Sequence, residues 1–382
     1  MKEKNLNNIT VIGADHQNTL GIIRACGMAG FCVNLIIHTP NKNETIRCKK
    51  SKYLRGTLDV VSESETELLE LLLSKKSTQK VPIIPTSDFA ALCIDNHFNE
   101  LSQWYFLPSI AGVQGNITRH MDKYYQYKML TQAGFKMAKT EKINLSDIDL
   151  IDWPSIFKHP VVLKPIVSAY GQKSDIVVSK SIAETYHHME LLRKKGYDEI
   201  LIQEFINKDY ELVTFGSITP KTKSLFYGTL KKIRYYPYDG GASLSYAEYV
   251  DADNYVLSII DFLANIGYNG LFDIELFFVA GDIYINEINF RNSGNTWAIV
   301  KRGVNAPVAW ISEMIQKNIQ TPKPLKATGA FINETSDIHY VVDRKIGVIR
   351  WLRDLTKVKA FNKFWIRDIR GSLAWYKKKK QK

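Results

Sequence analysis

The chain has 382 residues, 45% of them hydrophobic, and a formal net charge of +12. This length allows two or three subdomains with a sizeable core, and no apolar run reaches the length that a transmembrane helix requires. The polar N-terminus has no apolar segment typical of a signal peptide, and the four cysteines have no C-x-x-C spacing. Both features predict a cytoplasmic protein with buried free thiols.

The positive charge is concentrated at the C-terminus. Between His339 and Lys382 the sequence has fourteen lysines and arginines against three acidic residues, a net charge of +11. The rest of the chain is therefore nearly neutral, and the overall basicity gives no information about an active site.

The first hundred residues alternate between apolar strands and amphipathic helices. This alternation favours a doubly wound parallel sheet. The predicted strands are 8–13, 31–37 and 81–84, and the predicted helices are 17–30 and 64–75.

Two loops at the predicted strand ends bear on ligand binding. Gly13-Ala-Asp-His is not a G-x-G-x-x-G fingerprint, so no dinucleotide is assigned to this half. The loop Pro85–Asp88 is interpreted either as a ligand contact at a strand end or as an ordinary helix N-cap formed by Ser87 or Asp88.

The middle of the chain has a strand that ends in a lysine, Val161-Val-Leu-Lys-Pro165. A lysine at a strand end is either a mobile point charge for phosphate or an ordinary exposed cation. The following small-residue loop, Ser168–Lys173, would let backbone N–H groups approach phosphate. Further predicted elements are a helix at 121–134, a strand at 176–178, a helix at 181–196, a strand at 199–205 and an antiparallel pair at 210–217 and 224–230.

The most informative segment is a predicted hairpin between Gly270 and Asn289. If the hairpin is symmetric about Gly281, Glu275 lies opposite Glu287. Two opposed carboxylates repel each other unless a cation or a proton lies between them, and the alternative is a half-exposed hairpin with its acidic side chains in water. With the amide oxygen of Asn289 they make an oxygen-only ligand set, which favours Mg²⁺ or Mn²⁺ over zinc.

Two arginines are candidates for anion binding. Arg291, two residues after Asn289, supplies a positive charge suited to a phosphate. Arg234 lies in the segment 231–245, which has three tyrosines and the Gly240-Gly241 pair. We predict that this arginine grips a substrate carboxylate or phosphate, and the alternative is an exposed hairpin tip.

These motifs, in this order, resemble those of the ATP-grasp superfamily over roughly residues 1–320. The resemblance implies that Lys123 lies at the start of the nucleotide-binding part and that Lys164 is the phosphate-binding lysine. It identifies 168–173 with the phosphate-covering flap. This loop has only one glycine where the family has several. Ser168, Gly171 and Lys173 are the flap residues assigned to nucleotide binding.

The resemblance also assigns the adenine hinge, the ribose contact and the metal ligands. Glu211 would bind the ribose hydroxyls, and Arg291 would contact the transferred phosphate and the acyl-phosphate. The hinge residues are Gln203, Glu204, Phe205 and Ile206, and the metal ligands are Glu275, Glu287 and Asn289.

The resemblance implies an ATP-dependent carboxylate–amine ligase that forms an amide through an acyl-phosphate. ATP and two Mg²⁺ ions, or Mn²⁺, are the expected cofactors, and Lys164, Arg234 and Arg291 are the expected catalytic residues. The substrates would be a small carboxylate and an amine, either free or with one of them linked to a carrier. The nearest type is the D-aspartate ligases, which suggests a role in cell-envelope synthesis. The alternatives are an inactive nucleotide-binding scaffold at a membrane and an ATP-grasp kinase.

The predicted organisation is a parallel-sheet domain at 1–115, two ATP-grasp subdomains at 116–200 and 201–322, and a basic helical extension at 323–382. The aromatic and basic residues of 347–382 predict either peripheral binding to an anionic membrane or a helical hairpin docked on the body. Binding of nucleic acid is not expected because no such motif is present. A homodimer is considered as well.

Overall fold

The structure is a computed structural model that describes residues 8–150, 157–166, 175–219, 225–238, 243–317 and 325–376. The chain divides into two compact units. The first comprises Met1–Thr118, Val213–Asp273 and Asn289–Lys382, and the second comprises Arg119–Leu212 and Ile274–Ile288. The four-part division expected from the sequence stays a prediction. Among the described residues, no helix combines the length and the hydropathy needed to cross a bilayer.

The described part of the chain contains strands in all its segments. In chain order they are β1 Asn8–Gly13, β2 Cys32–His38, β3 Leu58–Val61, β4 Val81–Pro85, β5 Tyr105–Phe106, β6 Ser109–Ile110, β7 Thr140–Asn144, β8 Val161–Lys164, β9 Val177–Ser179, β10 Glu199–Glu204, β11 Tyr210–Ile218, β12 Leu225–Tyr236, β13 Ser243–Val250, β14 Tyr268–Val279, β15 Asp282–Asn289, β16 Ala330–Ile332 and β17 Val358–Phe361.

The α-helices of the described segments are mostly short. They are α1 Gln17–Met28, α2 Glu65–Ser74, α3 Asp88–Asn96, α4 Phe98–Leu101, α5 Asn116–Met121, α6 Lys123–Gln132, α7 Ile182–Lys194, α8 Asn254–Asn265, α9 Thr296–Val300, α10 Ala306–Met314, α11 Glu334–Asp337, α12 His339–Val342, α13 Val348–Lys357 and α14 Ile369–Leu373, with 3-10 turns at Cys48–Lys50, Leu145–Leu150 and Ile366–Asp368.

The first unit contains the predicted parallel sheet, with strand order β3-β2-β1-β4-β5. Each pair of neighbouring strands in this sheet is parallel. The strands are apolar along most of their length because helices cover both faces of such a sheet. The chain departs in opposite directions from β1 and β4, so their carboxyl ends form a crevice at which ligands bind in sheets of this class.

The helices of this unit begin where the sequence offers a capping side chain. The hydroxyl of Ser64 accepts a hydrogen bond from the Glu67 amide at the start of α2. Ser87 does the same for the Ala90 amide at the start of α3. These side chains satisfy backbone donors that have no partner inside the helix. The predicted helices at 17–30 and 64–75 are therefore confirmed, with ends that differ by one or two residues.

The first unit also contains a larger sheet in which β11, β12, β13, β16 and β17 follow one another. Strand β12 pairs with β13 in antiparallel register, and β17 runs parallel to β16. The C-terminal segment is thus not wholly helical, because β17 extends this sheet.

Two tryptophans of the C-terminal segment belong to the protein core. Trp365 and Trp375 are buried in the cluster that also contains Trp297 and residues of α1, β1 and β2. Trp365 stacks on Tyr53 with ring centroids 5.2 Å apart. These rings pack against the body, as expected if the extension is docked there. They are therefore not available to a membrane.

The second unit contains a four-stranded sheet with order β7-β10-β8-β9. Its neighbouring strands are antiparallel. Buried residues of the sheet pack against α7, with Met189 and Leu192 facing Val161 and Ile200 within one cluster. This packing fixes the end of β8, which carries Lys164.

The turn between β14 and β15 consists of Ala280 and Gly281, both with positive φ (49° and 94°). Two such residues form the tight turn that suits the right-handed twist of a hairpin. The centre of the turn therefore lies between these residues and not on Gly281, as the sequence-based symmetry assumed. The side-chain amide of Asn286 lies 3.4 Å from the Glu275 carboxylate, so this glutamate faces a neutral donor at close range.

Candidate active site

Lys164 lies at the end of β8 in the second unit, with only 6% of its surface exposed. Its ammonium donates a hydrogen bond to the Gln203 side-chain oxygen at 2.9 Å. The same amide donates through its nitrogen to the Thr140 hydroxyl at 2.8 Å. Gln203 is thereby held in one orientation and presents its oxygen to the lysine, which fixes the direction of the ammonium group.

Burial lowers the pKa of Lys164 from 10.5 to about 8. Desolvation is the main cause, because the charged form loses water and gains only partial compensation. Lys123 lowers this pKa further, while Glu287 and Glu275 raise it. Four charged side chains of the second unit are therefore electrostatically coupled, and an anion bound here would favour the protonated lysine.

Lys123 and Glu287 form a salt bridge in the second unit, with a nitrogen–oxygen distance of 3.2 Å. Lys123 is the first residue of α6, and the Asp122 carboxylate caps that helix through the Tyr124 and Tyr125 amides. The Asp-Lys pair of the sequence thus starts the helix and directs a buried cation toward a predicted metal ligand.

Gln126 aligns α6 with β15, a role that no pattern in the sequence indicates. Its amide donates to the Ile288 carbonyl at 2.7 Å and accepts from the Ile288 amide at 3.0 Å. The glutamine is buried and lies one turn after Lys123. Both hydrogen bonds lie next to Glu287, so they set the position of its salt bridge. A glutamine on a polar helix is usually exposed, which is why sequence reasoning missed it.

The predicted hinge follows β10. Glu204 and Phe205 are exposed, and the Glu204 amide donates to the Lys139 carbonyl at 2.9 Å. Ile206 is half-buried. Glu211 is buried and forms a 2.7 Å salt bridge with Lys208. The hinge therefore presents an exposed aromatic ring, which suits contact with a flat base.

Three predicted flap residues, Ser168, Gly171 and Lys173, lie outside the described residues, as do Gly240 and Gly241. Among the described residues, no group of three or more His, Cys, Asp or Glu side chains forms a metal site. The predicted ligand set has two glutamates and an asparagine, so it does not depend on such a group.

Arg291 lies in the first unit and contacts three oxygen-bearing side chains. Its Nε donates to Asp88 at 2.7 Å, and a terminal nitrogen donates to the Asn289 side chain at 3.2 Å. Asp273 lies 3.9 Å from the other terminal nitrogen. A guanidinium in a fixed fork is suited to planar oxyanions. The predicted ligand-contact loop ending at Asp88 and the predicted phosphate-contacting arginine are thus neighbours.

The segment after Arg291 is tied to the carboxyl ends of the parallel sheet. Asn18 donates to the Asn292 and Thr86 carbonyls, each at 2.9 Å. The backbone N–H of Asn292 donates a hydrogen bond to the Pro85 carbonyl, with the two atoms 3.4 Å apart. A Cβ on Gly13 would lie 1.8 Å from the Thr86 hydroxyl, so only glycine allows these loops to approach so closely. Hydrogen bonds and close packing therefore hold the segment after Arg291 against the loops that follow β1 and β4.

Arg234 is buried in the first unit and engages two carboxylates. It forms a two-point contact with Asp337 at 2.8 and 2.9 Å and a third hydrogen bond with Asp354 at 2.5 Å. Its guanidinium also lies 4.1 Å from the centroid of Tyr246. These contacts favour a structural role, and substrate binding by Arg234 stays a prediction.

The chain is similar to proteins of known family and structure. Residues 128–301 match the model of the ATP-grasp domain. An ADP complex of N5-carboxyaminoimidazole ribonucleotide synthetase has a TM-score of 0.66 at 16% identity, covering 92% of this chain and 86% of that one.

Two further solved structures share the fold. An L-amino acid ligase from Bacillus licheniformis has a TM-score of 0.60 at 13% identity, covering 85% of this chain and 78% of that one. A biotin carboxylase from Campylobacter jejuni has a TM-score of 0.62 at 13% identity, covering 84% of this chain and 74% of that one. No curated protein matches the sequence significantly. The prediction of a parallel-sheet domain with an ATP-grasp fold is confirmed.

Proposed function

The chain carries an ATP-grasp domain within a ligase-type ATP-grasp fold, and from this we propose that it is an ATP-dependent carboxylate–amine ligase. The observation that carries the proposal is the buried Lys164, whose charged form lacks a full counter-charge and which is coupled to Lys123, Glu275 and Glu287. The arrangement suits a polyphosphate with divalent cations. The reaction would convert a carboxylate into an acyl-phosphate and then into an amide.

Lys164 and Lys123 would bind phosphate oxygens of the nucleotide. Gln203 orients the first lysine, and Gln126 sets the position of the second against β15. The exposed hinge at Glu204 and Phe205 would hold adenine, and Glu211 would exchange its contact with Lys208 for the ribose hydroxyls. Preorganised charge is the main source of rate enhancement in such transfers.

We propose Glu275, Glu287 and Asn289 as ligands of Mg²⁺. All three supply oxygen atoms, and in the structure Glu287 already has a cation within 3.2 Å in the form of Lys123. The donor set therefore fits a hard divalent ion. When bound, such an ion neutralises charge on phosphate oxygens during transfer.

Arg291 is proposed to contact the activated carboxylate. Its guanidinium is oriented by Asp88 and Asn289, and 18% of its side chain is exposed, so an oxyanion can approach it from solvent. Asp88 also balances the charge of the arginine when substrate is absent. This residue pair suits a small carboxylate better than a bulky apolar group.

The test is phosphate release by the purified protein with ATP, Mg²⁺ and panels of carboxylates and amines. At least one pair should release phosphate and form an amide. A stable phosphorylated product without an amide would support the kinase alternative instead. ATP binding without turnover across all panels would support the scaffold alternative.

Glu287→Gln tests the metal assignment because it keeps the shape of the side chain and removes its charge. We expect Mg²⁺-dependent turnover to fall by at least ~10²-fold, as for other lost transition-state contacts. Glu141→Gln is the matched control, since Glu141 is a partly exposed strand glutamate of the same unit. Equal activity of both variants would refute the assignment.

Association with an anionic membrane is a further proposal for the C-terminal segment. On α13, Val348, Ile349 and Leu352 expose 56%, 80% and 52% of their surfaces. The exposed side chains of Arg350 and Arg353 lie on the same helix. Apolar residues beside cations suit a surface of anionic lipids, and such binding would agree with a carrier-linked substrate in cell-envelope synthesis.

Vesicle binding tests this surface. Ile349→Asp should weaken sedimentation with anionic vesicles and leave the low binding to neutral vesicles unchanged. Val113→Asp is the control, because Val113 is 50% exposed and lies outside this segment. Equal binding of wild type to neutral and anionic vesicles would contradict the proposal.

A further inference from the structure

Three side chains form a hydrogen-bonded relay at the carboxyl ends of the parallel strands in the first unit. His38 is the last residue of β2, Glu63 follows β3, and Ser87 follows β4. The His38 Nε2 atom lies 2.7 Å from the Ser87 hydroxyl, and its Nδ1 lies 3.2 Å from the Glu63 carboxylate. The sequence places these residues far apart, and the parallel sheet brings them together.

The donors and acceptors of the relay are consistent with one proton arrangement. The carboxylate of Glu63 can only accept, so Nδ1 of His38 donates to it and Nε2 accepts from Ser87. The Ser87 hydroxyl also accepts from the Ala90 amide at 3.2 Å. A hydroxyl has two lone pairs, so one acceptor position of Ser87 has no partner among the residues that the structure describes.

His38 is suited to accept a proton. Only 5% of its side chain is exposed, and burial lowers its pKa while Glu63 opposes that effect. The imidazole is therefore neutral at neutral pH. Glu63 is the charged group that faces it, and the ring of Phe89, whose centroid is 4.8 Å away, covers another side.

The relay lies next to the arginine assigned to the activated carboxylate. Ser87 directly precedes Asp88, whose carboxylate accepts from Arg291 at 2.7 Å. Ser87 and Asp88 are both only partly buried. The Ser87 hydroxyl therefore lies one residue along the chain from the carboxylate that orients Arg291, and both side chains are partly open to solvent.

We propose that Glu63, His38 and Ser87 form the proton-accepting relay for the attacking amine. The inference rests on the proposed ligase function. The amine nitrogen forms a bond to the acyl carbon, and the bond from that carbon to the phosphate oxygen breaks, so the electron pair leaves with phosphate. The amine proton passes to the Ser87 oxygen while the Ser87 proton passes to Nε2 of His38. Glu63 stabilises the resulting imidazolium.

A purely structural role for Ser87 is the competing explanation, because its hydroxyl caps α3. Ser64 provides the control, since it caps α2 with the same geometry. Both Ser87→Ala and Ser64→Ala should lower the urea midpoint of unfolding by a similar amount, because each removes the side chain that caps a helix. Only the Ser87 variant should lose amide formation, and the Ser87→Thr variant should restore part of it.

The decisive experiment compares two nucleophiles. Hydroxylamine captures an acyl-phosphate without a strong base, because it is a good nucleophile in its neutral form at neutral pH. The assay uses wild type with ATP, Mg²⁺ and the carboxylate that supports phosphate release in the panel. It measures the ratio of amide to hydroxamate.

His38→Gln should lower the ratio of amide to hydroxamate by ~10²- to 10⁴-fold, the usual effect of losing a general base. It should also abolish the fall in amide formation at acidic pH, which in wild type follows protonation of His38. An unchanged ratio would refute the relay while leaving the ligase proposal intact. Absence of hydroxamate with wild type would instead refute the proposed function on which the relay rests.

Discussion

Replacing Lys164 with methionine should stabilise the free protein at neutral pH and abolish nucleotide binding. Lys164 is buried, and its pKa falls from 10.5 to about 8. Because each pKa unit corresponds to about 1.4 kcal/mol, keeping the lysine charged costs the folded state about 3 kcal/mol below pH 8. Methionine has a similar length and no charge. The substitution leaves the Gln203 oxygen without its donor, which lowers the free energy of unfolding by about 1 kcal/mol.

The net gain in the free energy of unfolding of Lys164→Met should depend on pH in a defined direction. Between pH 8 and 10.5 the unfolded chain binds more protons at this position than the folded one, so wild-type stability rises with pH. The advantage of Lys164→Met is therefore about 2 kcal/mol below pH 8 and nearly zero at pH 10. Comparing both proteins at each pH cancels the titration of all other groups.

Urea unfolding at pH 7 and pH 10 measures this difference. Lys142→Met is the matched control: Lys142 is a strand lysine of the same unit, but it is exposed and paired with Glu199, so its loss should not stabilise the protein. The thermal shift caused by ATP should disappear in Lys164→Met alone. A destabilised Lys164→Met at pH 7, or a difference that does not change with pH, would refute the argument.

Three further predictions concern other residues. Gln126→Leu should lower turnover more than stability, because it removes the hydrogen bonds that hold β15 next to Glu287. Steady-state kinetics and a denaturation curve of the variant check this. Gly13→Ala should lower the free energy of unfolding by at least about 2 kcal/mol, since the added Cβ would overlap Thr86. Calorimetry measures this loss of stability. Arg234→Met should destabilise the protein by about 3–5 kcal/mol by leaving Asp337 buried without its partner. If it instead folds normally and loses only substrate affinity, Arg234 binds substrate after all.

The sequence by itself determined the local structure and the order of the motifs. The alternation of apolar strands with amphipathic helices predicted the parallel sheet and its helices, and the end of β8 at Lys164 followed from the pattern of that strand. These features depend on residues close together in the chain, where propensity and hydrophobic periodicity are sufficient.

Tertiary structure alone decided which side chains meet. The relay of His38 and Ser87, the contact of Gln126 with β15 and the burial of Trp365 join segments far apart in the sequence. Arg234 illustrates the same limit, because only the fold supplies the carboxylates of Asp337 and Asp354 that engage it. A charge or hydroxyl has the same sequence signature whether it faces substrate or another side chain, and long-range packing makes that choice.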